Sequence, residues 1–273
     1  VATGDMIRAG KRNVLGVLVD ITDYEGATDA VLTAAREHRH LALTALAVHG
    51  VMSGVHDPSY AARLNSFDVV TPDGQPVRWA LNLLHGVGLR DRVYGPDLTL
   101  SVLRRCAAEG LPVYLYGSTP STLDSLRRRL GHLMPELRVA GAEPSKFRQS
   151  HPGEATEIAS RIEASGARVV LVGLGCPRQE VFAHALRPLV DMPVLAVGAA
   201  FDYHAGLLAP PPPWLQRVGL EWCWRLGHEP ARLWRRYLLL NPAYLTRLWA
   251  QLVHLWRATP PSGTWDRPTT HPV

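Results

Sequence analysis

The order in which short apolar runs alternate with amphipathic stretches constrains this chain more than any single residue does. The runs are Asn13–Val19, Leu41–Ala47, Phe67–Thr71, Pro112–Tyr116, Leu137–Ala140, Arg168–Val172 and Pro193–Val197. Between them lie Ala27–Glu37, Val77–Leu84, Leu98–Ala108, Ser121–Leu130 and Glu154–Ile162, whose apolar residues recur at helical spacing. Strand and helix in this order predict βαβ crossovers and a parallel sheet with helices on its faces. Three runs (VYLYG, VVLVG, VLAVG) end in Gly, a tight turn at the carboxyl edge, where open parallel sheets bind ligands. The fold class expected is α/β, a Rossmann-like parallel sheet with flanking helices.

At Pro210–Pro213 the alternation stops, and three helical segments are expected beyond it: Trp214–Leu226, Pro230–Leu240 and Pro242–Arg257. Charge changes there too. Residues 1–213 carry 21 Lys+Arg and 21 Asp+Glu, so the whole net charge of +5 lies beyond them. Trp214, Trp222, Trp224, Trp234, Trp249 and Trp256 lie in that segment as well. The expected organisation is a body over 1–213, a basic, Trp-rich helical appendage over 214–257 and a disordered tail over 258–273. Only Lys11 and Lys146 are lysines, so the arginine richness by itself is no argument for nucleic acid. Cys106, Cys176 and Cys223 are too few for a disulfide framework or a structural zinc site, which fits a reducing, cytoplasmic setting. No signal peptide or membrane-spanning segment is visible.

Several nucleotide-site motifs are missing. There is no G-x-x-x-x-G-K-[ST] loop, no H-E-x-x-H and no D-x-D pair, so no metal site is expected. GLGCPR at Gly173 has two glycines of a dinucleotide fingerprint, with Arg178 where the third belongs. A diphosphate leaving without metal needs arginine or helix N-termini. Asp73, in TPDGQPVRWAL, follows a strand and opens a helix; its simplest role is to make the turn and cap that helix. RVYGPDL holds Arg92, with no structural necessity, and Asp97, a good N-cap. Gly117 and Ser118, in YGSTPSTL, precede a helix start suited to phosphate, though Ser and Thr before Pro are also ordinary caps. Gln179 and Glu180 fall in the first turn after VVLVG; a capping box accounts for Glu180 alone. Asp202 and His204 lie in a loop beyond VGAAF, and the lone histidines receive no catalytic role.

In order and spacing, PDGQPV, RVYGPDL, YLYGS, GLGCPRQE, VGAAFDYHAG and GLEWCWRLGHEPARLWRRY resemble the bacterial WecG/TagA/CpsF glycosyltransferases over roughly residues 10 to 245. The resemblance implies an inverting, metal-independent transferase without a cofactor. It would move a sugar, typically N-acetylmannosamine, from a UDP donor to an undecaprenyl-diphosphate-linked saccharide at the inner membrane face. It puts the general base on Asp73 and donor contacts on Arg92, Gln179 and the appendage arginines Arg225, Arg232 and Arg236. Where the family usually has Thr-x-Asn after its second strand, this chain has Ala45-Leu46-Ala47, with Thr44 just before and His49 just after, which leaves the donor sugar open.

The rival readings are an NAD(P)-dependent oxidoreductase on the same fold and a non-catalytic, membrane-associated partner of a polysaccharide assembly complex. In the last segment, Leu245, Leu248, Trp249, Leu252, Leu255 and Trp256 recur at helical spacing, with Arg247, Gln251 and His254 on another face. That stripe suits the cytoplasmic membrane surface; packing on the body or in a homo-oligomer is the other reading.

Overall fold

A computed structural model describes residues 10–146 and 153–253, apart from the side chains of Pro213, Arg232, Arg235 and Arg236. Among the described residues there are eight strands: β1 Lys11–Val14, β2 Val17–Asp20, β3 Leu41–Leu46, β4 Val69–Pro72, β5 Val113–Gly117, β6 Val139–Glu143, β7 Val169–Gly173 and β8 Pro193–Ala196. The last six form one sheet in the order β4-β3-β8-β7-β5-β6, every neighbouring pair parallel. The alternation in the sequence therefore builds the predicted α/β sheet.

Helices cover both faces, each with its own apolar cluster. On one face α2 (Val48–His56), α3 (Pro58–Asn65), α4 (Gln75–His85), α7 (Glu154–Ala164) and α8 (Arg178–Leu186) bury Met52, Leu64, Leu81, Ile162 and Leu186 against Leu46, Val70 and Val172. On the other, α1 (Tyr24–Arg36), α5 (Gly95–Glu109), α6 (Pro120–Leu133) and the short α9 (Ala200–His204) bury Leu32, Leu98, Leu126 and Phe201 against Leu43, Leu115 and Leu171. Strand residues alternate between the clusters, as a pleated sheet buried on both faces requires. Asp202 and His204 thus stand on a helical turn instead of in a loop.

The run expected as one strand, Asn13–Val19, is an antiparallel hairpin outside the main sheet. Its turn residues Leu15 and Gly16 have φ of +54° and +91°. Two-residue hairpin turns want positive φ, but a leucine there carries no turn signal in the sequence. Tertiary contacts override propensity: Leu15 is buried, and its N–H donates to Gln251 Oε1 at 3.0 Å.

The appendage consists of α10 (Pro213–Arg217), α11 (Glu221–His228) and α12 (Pro230–Leu252). The first expected segment, Trp214–Leu226, is split at Gly219, which has φ +72°. The second and third are one helix that runs through Pro242. An interior proline costs about 3 kcal/mol. Anchors on both sides offset it: Leu233, Tyr244 and Leu248 are buried, and Tyr244 Oη donates to the Pro76 carbonyl at 3.0 Å. The expected stripe is consequently divided. Tyr244, Leu248 and Gln251 turn to the body, whereas Leu238, Leu245, Trp249 and Leu252 are exposed. Leu255, Trp256 and the expected disordered tail lie outside the described residues.

Leu248→Ala should lower unfolding free energy by about 2–5 kcal/mol, the usual cost of truncating a packed leucine. Trp249→Ala, one residue on but 62% exposed, should stay within about 0.5 kcal/mol. Urea unfolding of the full chain measures both.

Candidate active site

Three chain segments meet where β4 ends. β4 passes into the Asp73–Gly74 turn, and the Arg92–Tyr94 segment runs beside it, Val93 N–H donating to the Pro72 carbonyl at 2.9 Å. Asp73 does not cap the helix it opens. The N-cap of α4 is Gly74, without a side-chain bond, and Asp73 Oδ1 instead accepts from Gly95 N–H at 3.1 Å, at the start of α5. Gly95 also lets α5 start close against β3: a Cβ there would lie 3.2 Å from Ala45 Cβ. Asp97 is not the N-cap of α5 either; Tyr94 is, and Asp97 falls in the first turn.

A cavity of about 320 Å³ opens beside Asp73. The body supplies Ala47, His49, Trp79, Arg92 and Tyr94, and the appendage supplies the facing wall with Leu220, Glu221, Trp222, Arg225, Tyr237 and Tyr244. Asp73 is set deep but partly exposed here. Burial raises its pKa above the ordinary carboxylate value, opposed by Arg92, the Gly95 N–H and Arg225. Arg92 is 6% exposed and lies over the Tyr94 ring, its Cζ 4.4 Å from the centroid. It pairs with Glu221, and its Nη2 donates to Gln216 Oε1 at 3.4 Å. Burial works against its charge, but Asp73 and Glu221 together hold it on. The Arg225 Nε is buried without a hydrogen-bond partner among the described residues.

Asp73, Arg92 and Arg225 are the sequence-derived residues that come together in this cavity. Gly117, Ser118 and Asp202 stand elsewhere along the carboxyl edge. Gly117 (φ +114°) ends β5 so close to β7 that a Cβ would lie 2.7 Å from the Gly173 carbonyl oxygen. Ser118 N–H donates to that same oxygen at 2.9 Å, and Thr119, not Ser118, caps α6. Asp202 does not line the cavity, and His204 Nε2 is 2.8 Å from the Pro96 carbonyl, a structural contact. Arg232 and Arg236 belong to α12, with side chains outside the described residues.

Thr44, Gln179 and Glu180 form a buried polar group behind the sheet edge. Glu180 is 0% exposed; its Oε1 accepts from Thr44 Oγ1 at 3.1 Å and Gln179 Nε2 at 2.8 Å. Its side chain makes no cap for α8. Ala45, one residue on from Thr44, belongs to the opposite pleat and faces Gly95. Glu221, Tyr94 and Tyr237 escaped the sequence reading. The signal for Glu221 was present in GLEW, as a carboxylate within an arginine-rich segment. Among the described residues, no group of three His, Cys, Asp or Glu is placed to hold a metal, and no helix is long and apolar enough to cross a membrane.

Comparison with known proteins identifies the family. The model of the glycosyl transferase WecG/TagA/CpsF family matches residues 12–258. A protein of Bacillus spizizenii, named N-acetylglucosaminyldiphosphoundecaprenol N-acetyl-beta-D-mannosaminyltransferase, is 33% identical over 193 residues, covering 70% of this chain and 72% of that relative.

Glu180 gives a test of the buried group. Burial raises its pKa, against the bonds from Gln179 and Thr44 that lower it. A raised folded-state pKa means that its contribution to stability is full below the unfolded-chain value of about 4.3 and is lost as pH rises through the folded value. Glu180→Gln should therefore melt above the parent at pH 7–8, and the gap should close as pH falls below about 4. Thermal unfolding across pH measures this.

Proposed function

Because this chain belongs to the WecG/TagA/CpsF family of glycosyl transferases, we propose that it transfers N-acetylmannosamine or a related hexose from a UDP-sugar to a saccharide on undecaprenyl diphosphate, in cell-envelope polysaccharide synthesis. The chain is a glycosyltransferase, and the oxidoreductase reading falls away. The observation that carries the finer reading is one cavity in which a half-buried carboxylate, Asp73, feels the charge of an arginine of the body, Arg92, and of one on the facing appendage wall, Arg225. Asp73 takes the proton of the acceptor hydroxyl as that oxygen attacks the anomeric carbon, which inverts. A pKa raised by burial moves this base toward the operating pH, where a general base is most effective. The leaving diphosphate is met by Arg92 and Arg225, with no metal required. The relative's name supplies the lipid-linked acceptor and the mannosaminyl group, carried over here as part of the proposal.

The mouth of the cavity supports an acceptor on a lipid. Trp79, Val218, Leu220 and Leu245 line it, and each is at least 40% exposed. Leu238, Trp249 and Leu252 continue that apolar surface along α12. We take this face to rest on the inner surface of the cytoplasmic membrane, presenting the cavity to a diphosphate at headgroup depth.

Asp73→Asn should reduce turnover by ~10²–10⁴-fold while the protein stays folded. Transfer from UDP-N-acetylmannosamine to a short-chain lipid diphosphate acceptor, in excess chelator, is the assay. Full turnover in the variant removes the base role, and loss of parent activity to the chelator removes the metal-free one.

The full chain should sediment with anionic vesicles and be released by salt, and Leu245→Ser with Trp249→Ser should weaken sedimentation several-fold. Indifference to lipid combined with a dimer that the same pair dissolves would assign the face to a second copy.

A further inference from the structure

The cavity holds two carboxylates, and the proposed chemistry uses one. Its charged walls are Asp73, Arg92, Glu221 and Arg225, formally neutral together. A nucleoside diphosphate carries at least two negative charges, and burying it beside two carboxylates and two guanidiniums leaves net negative charge in a confined site, which is costly. One carboxylate must give way. Asp73 is fixed by the end of β4 and by the Gly95 N–H. Glu221 is the first residue of the eight-residue α11, which has no side-chain cap and follows the Gly219 turn and the Pro210–Pro213 run.

We propose that Glu221 and the ligand's diphosphate compete for the same face of Arg92, so that the carboxylate acts as an internal phosphate mimic that the substrate displaces. This rests on the reading that a diphosphate binds between Arg92 and Arg225. The pairing is nearly enclosed: the two side chains are 7% and 13% exposed. Arg92 does not depend on Glu221 alone for its direction, since its guanidinium also lies over the Tyr94 ring and the same Nη2 that pairs with Glu221 donates to Gln216 Oε1 as well. Glu221 in its turn is held chiefly by Arg92: burial raises its pKa, the Arg92 charge and hydrogen bond oppose this, the Asp73 charge adds to it, and Arg225 opposes it less. Displacement frees a guanidinium that is already aimed, and couples ligand entry to movement of α11. Trp222, beside Glu221, lines the cavity with its ring 5.9 Å from Tyr237, so the movement reshapes the wall that faces Asp73.

The test is the affinity of the full chain for UDP and for inorganic pyrophosphate by calorimetry, with thermal unfolding in parallel. Glu221→Gln should bind UDP about 5- to 50-fold tighter and gain more from saturating UDP than the parent does. A purely structural glutamate would lose on both measures. Glu221→Asp, too short to reach Arg92 fully, should shift the same way by less and serves if the Gln variant folds poorly. Unchanged or weaker binding in Glu221→Gln, with Arg92→Ala also weakened, overturns displacement and leaves the diphosphate reading standing. Binding that is indifferent to both Arg92→Ala and Arg225→Ala, or absent from every variant, overturns that reading and the competition together.

Discussion

A buried guanidinium is the constraint around which this site is organised. Removing an arginine from water costs several kcal/mol unless its charge and its donors are met. Arg92 meets that demand with an aromatic face from its own segment, the field of Asp73 from the neighbouring loop, and Glu221 from the appendage. Body and appendage are thus joined by electrostatics at the cavity as well as by the apolar anchors of α12. The same arrangement opposes the desolvation of Asp73, whose carboxylate would otherwise be held protonated more firmly by its surroundings.

The carboxyl edge of the sheet carries two polar centres of different character. At the β3–β4 end, ionised groups face a cavity with appendage walls. Toward β7 and β8, Thr44, Gln179 and Glu180 are turned inward and bond one another. The pleat separates them: Thr44 faces α8, and the adjacent Ala45 faces α5. With alanines at 45 and 47, the strand end next to Asp73 offers no polar side chain of its own, and the polar groups there come from Arg92, His49 and the appendage.

Much of this was legible in the sequence because local pattern and tertiary structure agree. The strand and helix periods give the parallel sheet, and the glycine-terminated runs give its functional edge. Arg92 stood out because turn and cap chemistry left it without a task, whereas Asp73 had a turn-and-cap role and drew notice through the family resemblance. The illegible parts are those where distant contacts overrule local preference. A leucine adopts positive φ in the hairpin because it is buried under α12. Pro242 sits inside a helix because anchors on both sides hold one axis. Glu180 resembles a capping residue, yet bonds a threonine 136 positions away. Glu221 acquires meaning only through Arg92, and no spacing rule links the two.

The bond from Leu15 N–H to Gln251 has a bearing on how the protein is made. The hairpin leaves the ribosome well before the residue that completes its turn, which follows 236 positions later. At roughly 5–20 residues per second, the interval is on the order of ten seconds to most of a minute. Throughout it the apolar surfaces of α2 and α4 await the helix that covers them, and the cavity stays half built. A cell producing this enzyme must shield that surface until α12 emerges, and a stall before that point would release a body unable to close.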